Sequence, residues 1–169
     1  AFPALSRTLR VPTPVSPPAS SPSVTPSTAG PSGATGTVRI FLLRSRPGGG
    51  CPEVASLTRT LPTGSLARSS VQALLDGPTA QERADGYTSA FSGAGNRLRF
   101  LRLDGTTAHV DFQELNDVVD IGPDCTAAAV REQLERAVER FSWIDGARFS
   151  IKGSEEEFYV RLLGVAVPA

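Results

Sequence analysis

The sequence predicts an α+β domain with a mixed, mainly antiparallel sheet and two helices packed on one of its faces. The prediction depends on strand-like segments that come in pairs, and on two longer segments whose apolar residues recur with a helical period. An Asp-Gly turn between two of the strand-like segments adds an antiparallel hairpin. In chain order the elements read β-β-α-β-β-α-β-β.

The first 36 residues are predicted to be a disordered tail or linker. Seven prolines between Pro12 and Pro31 are interleaved with Ser, Thr, Ala and Gly. Such a composition buries too little apolar surface to offset the entropy of an ordered chain. The folded domain is therefore expected over residues 37–169, with the Pro-rich segment as its spacer.

The first two strands are predicted as a hairpin with a long loop. The first strand begins at Thr37, and alternate apolar residues mark its buried face. These residues are Val38, Ile40 and Leu42. Residues 46–52 form a Gly-rich turn, and residues 57–61 read as the second strand. No Lys-Ser/Thr follows the Gly triplet, so a loop is expected there and not a phosphate-binding motif.

A helix is predicted over residues 65–75, and a second turn of helix follows at residues 79–84. The apolar stripe of the first helix consists of Ala67, Val71, Leu74 and Leu75. These positions follow the i, i+4, i+7, i+8 pattern of one helix face. Either Thr63 or Ser65 can serve as the N-cap.

The corner between these two helices is the most distinctive segment of the chain. Gly77 suits the left-handed position just after a helix, and Pro78 cannot continue that helix. Thr79 and Glu82 then have the spacing of a capping box, in which two side chains satisfy free backbone donors. All four residues are expected to determine chain geometry and to carry no chemistry.

A second hairpin is predicted over residues 98–112. Asp104-Gly105 forms its turn, because glycine accepts a positive φ at no steric cost. On the returning strand His109 and Asp111 share the face opposite the apolar residues. The Asp111 side chain is expected to bond backbone donors in the turn that follows.

The last helix is predicted from residue 125 or 126 to Phe141, with Asp124 as its N-cap. Its apolar stripe consists of Val130, Leu134, Ala137, Val138 and Phe141. A strand is expected over residues 147–151, and the β-branched and aromatic residues at 158–167 predict a final strand. Trp143 is expected to pack beneath the helix, with a surface anchor for a partner as the alternative.

Few side chains have the chemistry of an active site. His109 is the only histidine, and general-base catalysis by it would need a partner such as Asp111. The alternative is that His109 is an exposed residue of the strand without a catalytic role. No metal-ligand spacing occurs. The acidic run at residues 155–157 is expected to be a solvated turn, with a calcium site as the alternative.

The two cysteines, Cys51 and Cys125, permit one disulfide but do not require it. A bridge between them would close a loop of about 75 residues and stabilise the chain by roughly 4 kcal/mol. One alternative is two unrelated buried thiols. The other is a redox-active pair, because Cys125 lies near a helix N-terminus that would lower its pKa.

Charge and hydropathy exclude several classes of protein. The chain has 17 basic and 17 acidic residues, so its neutral balance argues against nucleic acid as a partner. No run of 18 apolar residues occurs, so no transmembrane segment is expected. A start at Ala1 and the absence of methionine indicate a processed or truncated product.

These landmarks, in this order, resemble the GerMN domain of bacterial sporulation and spore-germination proteins. The resemblance covers residues 37–153, and the helix corner followed by the Asp-Gly hairpin is its most specific part. The matching residues are Val38–Leu42, Leu74–Thr79, Glu82, Gly86, Ser89, Leu103–Phe112, Glu114, Leu115, Gln133, Leu134, Phe141 and Ile144–Gly153.

The resemblance implies a non-catalytic module that faces outward in the bacterial cell envelope. Family members are typically lipoproteins or membrane-tethered proteins; some resemble ring-building domains, and others accompany sensor kinases. We therefore expect an extracytoplasmic binding or assembly module, without a cofactor, whose partner is an envelope protein or a cell-wall component. Self-association is left open.

Two alternatives come from other functional classes. The first is an extracytoplasmic enzyme or thiol-redox protein that uses His109 or the Cys51 and Cys125 pair. The second is a small-ligand binding domain, which would require a deep apolar pocket between the sheet and the helices.

Overall fold

The architecture is known from a computed structural model, which describes residues 34–91, 93–119, 122 and 124–169. The predicted tail lies outside these residues up to Gly33, and its disorder stays a prediction. Residue 92 and residues 120, 121 and 123 also fall outside the description.

The first sheet is built on a long antiparallel hairpin. Strand β1 (Thr35–Arg44) pairs with β2 (Glu53–Pro62) without a break in register, and the short strand β3 (Tyr87–Thr88) pairs with the other side of β1. The strand order is β2-β1-β3. The hairpin is longer than predicted, since β1 begins two residues before Thr37 and β2 begins four residues before Leu57.

The second sheet contains the predicted Asp-Gly hairpin. Strand β4 (Leu98–Asp104) pairs antiparallel with β5 (Thr107–Phe112), and β6 (Gly146–Ile151) pairs parallel with β5. The order is β4-β5-β6. The α+β class is therefore confirmed, although the strands divide between two three-stranded sheets where the sequence predicted one mixed sheet.

Helix α1 (Leu66–Asp76) and helix α3 (Thr126–Glu139) pack against each other and against β1. The short helix α2 (Ala80–Ala84) follows the corner after α1. The predicted stripes of both long helices face the core. None of the helices in the described part of the chain is long and apolar enough to cross a membrane.

The predicted final strand is wrong, because the chain forms a π-helix at Glu157–Leu162. Ser154 Oγ accepts a hydrogen bond from the Glu157 N–H at 3.2 Å and so supports its start. The N–H of Leu163 donates to the carbonyl of Phe158, five residues earlier, at 3.2 Å. This winding buries Phe158, Tyr159 and Leu163 together, whereas a strand would direct Phe158 and Tyr159 to opposite faces.

One apolar core is shared by the two sheets and the helices. Aromatic rings join its β5–β6 side to the π-helix, since the Phe158 ring lies 6.1 Å from that of Phe112 and 5.3 Å from that of Phe149. Gln133 on α3 is a buried polar residue within this core, and its amide connects separate backbone segments. Both long helices direct one face into this core, whereas β2 and β4 stay partly exposed along their length.

Candidate functional site

The distinctive corner after α1 has the geometry of a helix stop followed by a restart. Gly77 has a φ of +77°, and its N–H donates to the Leu74 carbonyl at 3.1 Å. The capping box is present, with Glu82 N–H donating to Thr79 Oγ1 at 3.3 Å and Thr79 N–H donating to Glu82 Oε2 at 2.7 Å. Leu74 and Leu75 are buried in the core. These contacts hold the turn between two helices.

Arg59 of β2 completes this corner, although none of the sequence motifs includes it. Its guanidinium donates to both carboxylate oxygens of Glu82, with Nε 2.9 Å from Oε1, and to the carbonyls of Ala73 and Gly77 at 3.2 and 2.9 Å. Both charged side chains are 14% exposed. In the sequence, Arg59 is marked only as a charged residue at an inward-facing position of β2, between Leu57 and Leu61.

The hydrogen bond from Arg59 lowers the pKa of the Glu82 carboxyl below its ordinary value of 4.5. Burial opposes this effect, and the Thr79 N–H adds to it. The carboxylate is therefore held ionised as part of the turn, which is a structural arrangement.

A cleft of about 310 Å³ opens beside the corner. Its wall includes Gly77, Pro78, Arg83, Tyr87 and Ser89. The Arg83 guanidinium donates to the Pro78 carbonyl at 2.5 Å, and Ser89 Oγ donates to the Leu74 carbonyl at 3.3 Å. The Arg83 and Ser89 side chains that line the cleft are therefore bonded to neighbouring backbone carbonyls.

Asp111 lies fully buried at the end of β5, where its carboxylate joins three segments. Arg99 Nη1 donates to Oδ2 at 2.5 Å, while Ser150 Oγ and the Gly153 N–H donate to Oδ1 at 2.6 and 2.8 Å. The expected backbone donor therefore belongs to the turn after β6, and not to the turn that follows Asp111 itself. Asp104 and Gly105 form the hairpin turn, with Gly105 at a φ of +59°.

His109 is half-buried on β5, the central strand of the second sheet. Its register neighbours are Arg102 on β4 and Arg148 on β6. Among the described residues, the hydrogen bonds of the Asp111 carboxylate come from Arg99, Ser150 and Gly153, and none comes from His109. The two residues thus share a face without forming an acid–base pair.

Cys51 and Cys125 form a disulfide, with their Cα atoms 5.4 Å apart. It joins the loop between β1 and β2 to the start of α3. Cys125 itself occupies the N-cap position of α3, where the sequence predicted Asp124. The bridge consumes both thiols of the chain.

No cluster of His, Cys, Asp and Glu suited to a metal ion occurs within residues 34–91, 93–119, 122 and 124–169. The acidic run contributes ion pairs instead. Glu155 lies 3.4 Å from Arg148, and Glu157 lies 4.0 Å from Arg161.

An apolar groove of about 350 Å³ lies between the start of α1 and the outer strand β4. Its apolar walls are Leu66, Ala67, Leu101, Leu103 and Trp143. Trp143 is 50% exposed and Leu103 is 47% exposed. The Trp143 ring leans on that of Phe141, with centroids 4.9 Å apart, so it lies at the surface and not beneath the helix as the sequence predicted. We call these five residues the Trp143 groove.

A family model described as Germane, sporulation and spore germination, matches residues 47–157, which is more than half of the chain. The chain therefore belongs to this family, and the resemblance found in the sequence is confirmed. GerMN-type domains are not known as enzymes.

Among solved structures, the fold is similar to the tandem GerMN domains of the sporulation protein GerM from Bacillus subtilis, with 12% identity and a TM-score of 0.54. The match covers 76% of this chain and 43% of that chain, so this chain spans less than half of the GerM structure. A putative lipoprotein from Clostridium perfringens also matches, with 11% identity, a TM-score of 0.45, and coverage of 76% and 80%. No curated protein matches.

Proposed function

We propose that this chain is a non-catalytic, extracytoplasmic binding or assembly module of the bacterial cell envelope. Membership of the sporulation and germination family supports this class of function. The Cys51–Cys125 disulfide supports the location, because disulfides persist in oxidising compartments outside the cytoplasm.

The observation that carries the proposal is the exposed Trp143 groove. Tryptophan is enriched among the residues that dominate binding energy, and contiguous exposed apolar surface marks interaction sites. Every residue that lines this groove is uncharged. A partner protein that inserts apolar side chains fits such walls better than a charged cell-wall polymer does, so we propose an envelope protein as the partner.

The Pro-rich segment before β1 has a separate proposed role. Proline-rich linkers act as semi-rigid spacers, and the composition of residues 1–36 is of this type. We propose that it holds the domain away from its point of attachment, so that the groove is accessible to the partner.

The test is cross-linking of the full chain in intact cells, followed by identification of the captured envelope proteins. We expect Trp143→Ala to reduce capture of the specific partner at least about tenfold, since buried tryptophans at interfaces contribute about 2 kcal/mol or more. Val160→Ala is the matched control, because Val160 is 43% exposed and lies outside the groove.

The two variants separate the outcomes. Equal capture by the Trp143 variant and the Val160 variant would contradict the groove as the contact site. Enrichment of cell-wall fragments without any protein that depends on Trp143 would contradict the proposed partner.

A further inference from the structure

Strand β2 forms one edge of the first sheet, and its register with β1 defines which backbone groups face outward. The Thr63 N–H donates to the Ala34 carbonyl at 2.8 Å, in line with the β1–β2 ladder. Hydrogen-bonded pairs alternate along an antiparallel ladder. The odd-numbered residues of β2 therefore bond to β1, and the even-numbered residues direct N–H and C=O to the free edge. These residues are Val54, Ser56, Thr58 and Thr60.

The opposite edge of the same sheet is covered by α3. Beyond the short pairing with β3, the carbonyls of Arg39 and Phe41 accept hydrogen bonds from Arg140 Nη1 and Gln133 Nε2, each at 2.8 Å. Within the part of the chain that the structure describes, no such donor reaches the carbonyls of Val54, Ser56, Thr58 and Thr60, whereas the Pro62 carbonyl at the end of β2 accepts from Ser69 Oγ at 3.1 Å. Side chains thus satisfy two carbonyls on the β3 side of the sheet, whereas these four residues of β2 have no such partner among the described residues.

The open edge also lacks the features that usually prevent strand pairing. Proteins protect such edges with outward charges, prolines or bulges. Here the four outward residues are uncharged, and the β1–β2 register contains no bulge. The one charge between Val54 and Pro62 belongs to Arg59, which turns inward to Glu82. The first proline of the strand is Pro62, at its end.

We propose that a second copy of this chain pairs with the β2 edge, in an antiparallel arrangement about a two-fold axis at Leu57. This register places Val54 opposite Thr60 and Ser56 opposite Thr58, so each pair exchanges its outward N–H and C=O groups. Centring the axis on Thr58 would instead place Val54 opposite Pro62, which has no N–H to donate.

The side chains suit this register. Leu57 is half-buried on the inner face and meets its own copy at the axis, which removes further apolar surface from water. Ser and Thr side chains face each other on the outer face, a combination that stabilises cross-strand pairs. The contact does not depend on the Trp143 groove or on the function proposed for it. A single strand pair is small beside a standard interface, so the dimer is weak and concentration-dependent.

Sedimentation equilibrium of the full chain over a range of concentrations tests this arrangement. We expect a reversible monomer–dimer equilibrium in the native chain. Thr58→Pro removes an N–H that faces the free edge and leaves the β1 pairing intact, so it should weaken dimerisation about tenfold or more. Circular dichroism and thermal unfolding establish that the variant is folded.

A charge-based series tests the register itself. Thr58→Lys places two like charges close together across the axis and should also weaken the dimer about tenfold. Thr37→Lys is the matched control, because Thr37 lies on the same exposed face of the sheet but on β1. Adding Ser56→Glu to the Thr58→Lys chain creates opposite charges in both opposed pairs and should restore dimerisation.

Each outcome decides the proposal. Restoration by the double variant, with an unaffected Thr37 variant, would support the stated register. A native chain that stays monomeric at every concentration would overturn the proposal, as would a dimer that tolerates both Thr58 variants.

Discussion

The Arg59 guanidinium makes hydrogen bonds on both sides of the α1–α2 corner. Its side chain crosses from the inner face of β2 to Glu82, and it also satisfies two carbonyls at the end of α1. One side chain therefore fixes both the stop of α1 and the start of α2. The sequence motif predicted the turn residues because they act locally, whereas Arg59 acts across 23 positions and leaves no local pattern.

Arg59→Met is expected to destabilise the fold by about 2–4 kcal/mol, because it leaves the shielded Glu82 carboxylate and two carbonyls without their donor. Urea unfolding followed by circular dichroism measures this change. Arg136→Met is the control, since the Arg136–Glu132 pair is solvent-exposed and its loss should change stability by less than about 1 kcal/mol. Equal effects of the two substitutions would contradict the role assigned to Arg59.

The lowered pKa of Glu82 predicts a specific loss of stability in acid. The carboxylate is more acidic in the folded chain than its ordinary value of 4.5, so its contribution is complete above pH 4.5 and is lost as the pH falls through the folded pKa. We expect Glu82→Gln to be less stable at neutral pH and to show a shallower decline below pH 4.5.

Glu132→Gln serves as the comparison for this titration, because Glu132 belongs to the exposed pair. The unfolding free energy of the Glu82 variant will still decline with falling pH, since hydrogen bonds from the Asn116 backbone and Lys152 also lower the pKa of Glu114. An unchanged acid slope in Glu82→Gln, measured by urea unfolding across this range, would contradict the assignment.

At the scale of secondary-structure elements, the sequence correctly predicts those elements that local interactions determine. Both hairpins and both long helices follow from alternation, helical stripes and the Asp-Gly turn. The segment after β6 was mistaken for a strand, because its aromatic and β-branched residues favour strands unless tertiary contacts decide otherwise. Here the Phe158 ring packs against those of Phe112 and Phe149, and the burial of Tyr159 beside it selects a helical winding.

Local sequence patterns also do not predict the division of the strands into two sheets. Pairing between strands depends on contacts that are distant in sequence, and β5 and β6 are separated by the whole of α3. The Trp143 groove was missed for the same reason, since its walls come from α1, β4 and the segment after α3.

The disulfide connects two elements and should stabilise the fold through the unfolded state. Its cysteines are 74 positions apart, and a loop of that size corresponds to about 4 kcal/mol in the chain-entropy model. We expect the Cys51→Ser, Cys125→Ser double variant to lose up to about this amount in urea unfolding. Adding a reductant should lower the stability of the native chain to that of the double variant.

Non-reducing mass spectrometry gives an independent measurement of the same bridge. Native protein should lack thiols that react with an alkylating agent until a reductant is added. Two reactive thiols in the native chain, or a native stability unaffected by reductant, would contradict the disulfide.

At the scale of the whole molecule, structural roles account for Asp111 and the two cysteines, which the sequence offered as candidates for chemistry. The carboxylates of Asp111 and Glu82 each hold a turn in place through hydrogen bonds. Both thiols form the disulfide between a loop and a helix. Two surfaces of the described residues are proposed for recognition, the Trp143 groove and the outer edge of β2. They involve different elements, so a partner protein and a second copy can be tested with separate substitutions.

Gln133 gives the last prediction, because its buried amide connects α3 to both sides of the fold. Its Oε1 accepts from the Ala90 N–H at 2.9 Å, and its Nε2 donates to the Phe41 carbonyl at 2.8 Å. Gln133→Leu keeps a similar volume but leaves both backbone groups unpaired, so a loss of about 2–4 kcal/mol is expected. Gln81→Leu, on the exposed face of α2, should change stability by less than about 0.5 kcal/mol. Amide hydrogen exchange adds a position-specific measurement: the Ala90 N–H should lose protection in the Gln133 variant, and retained protection there would contradict the connection.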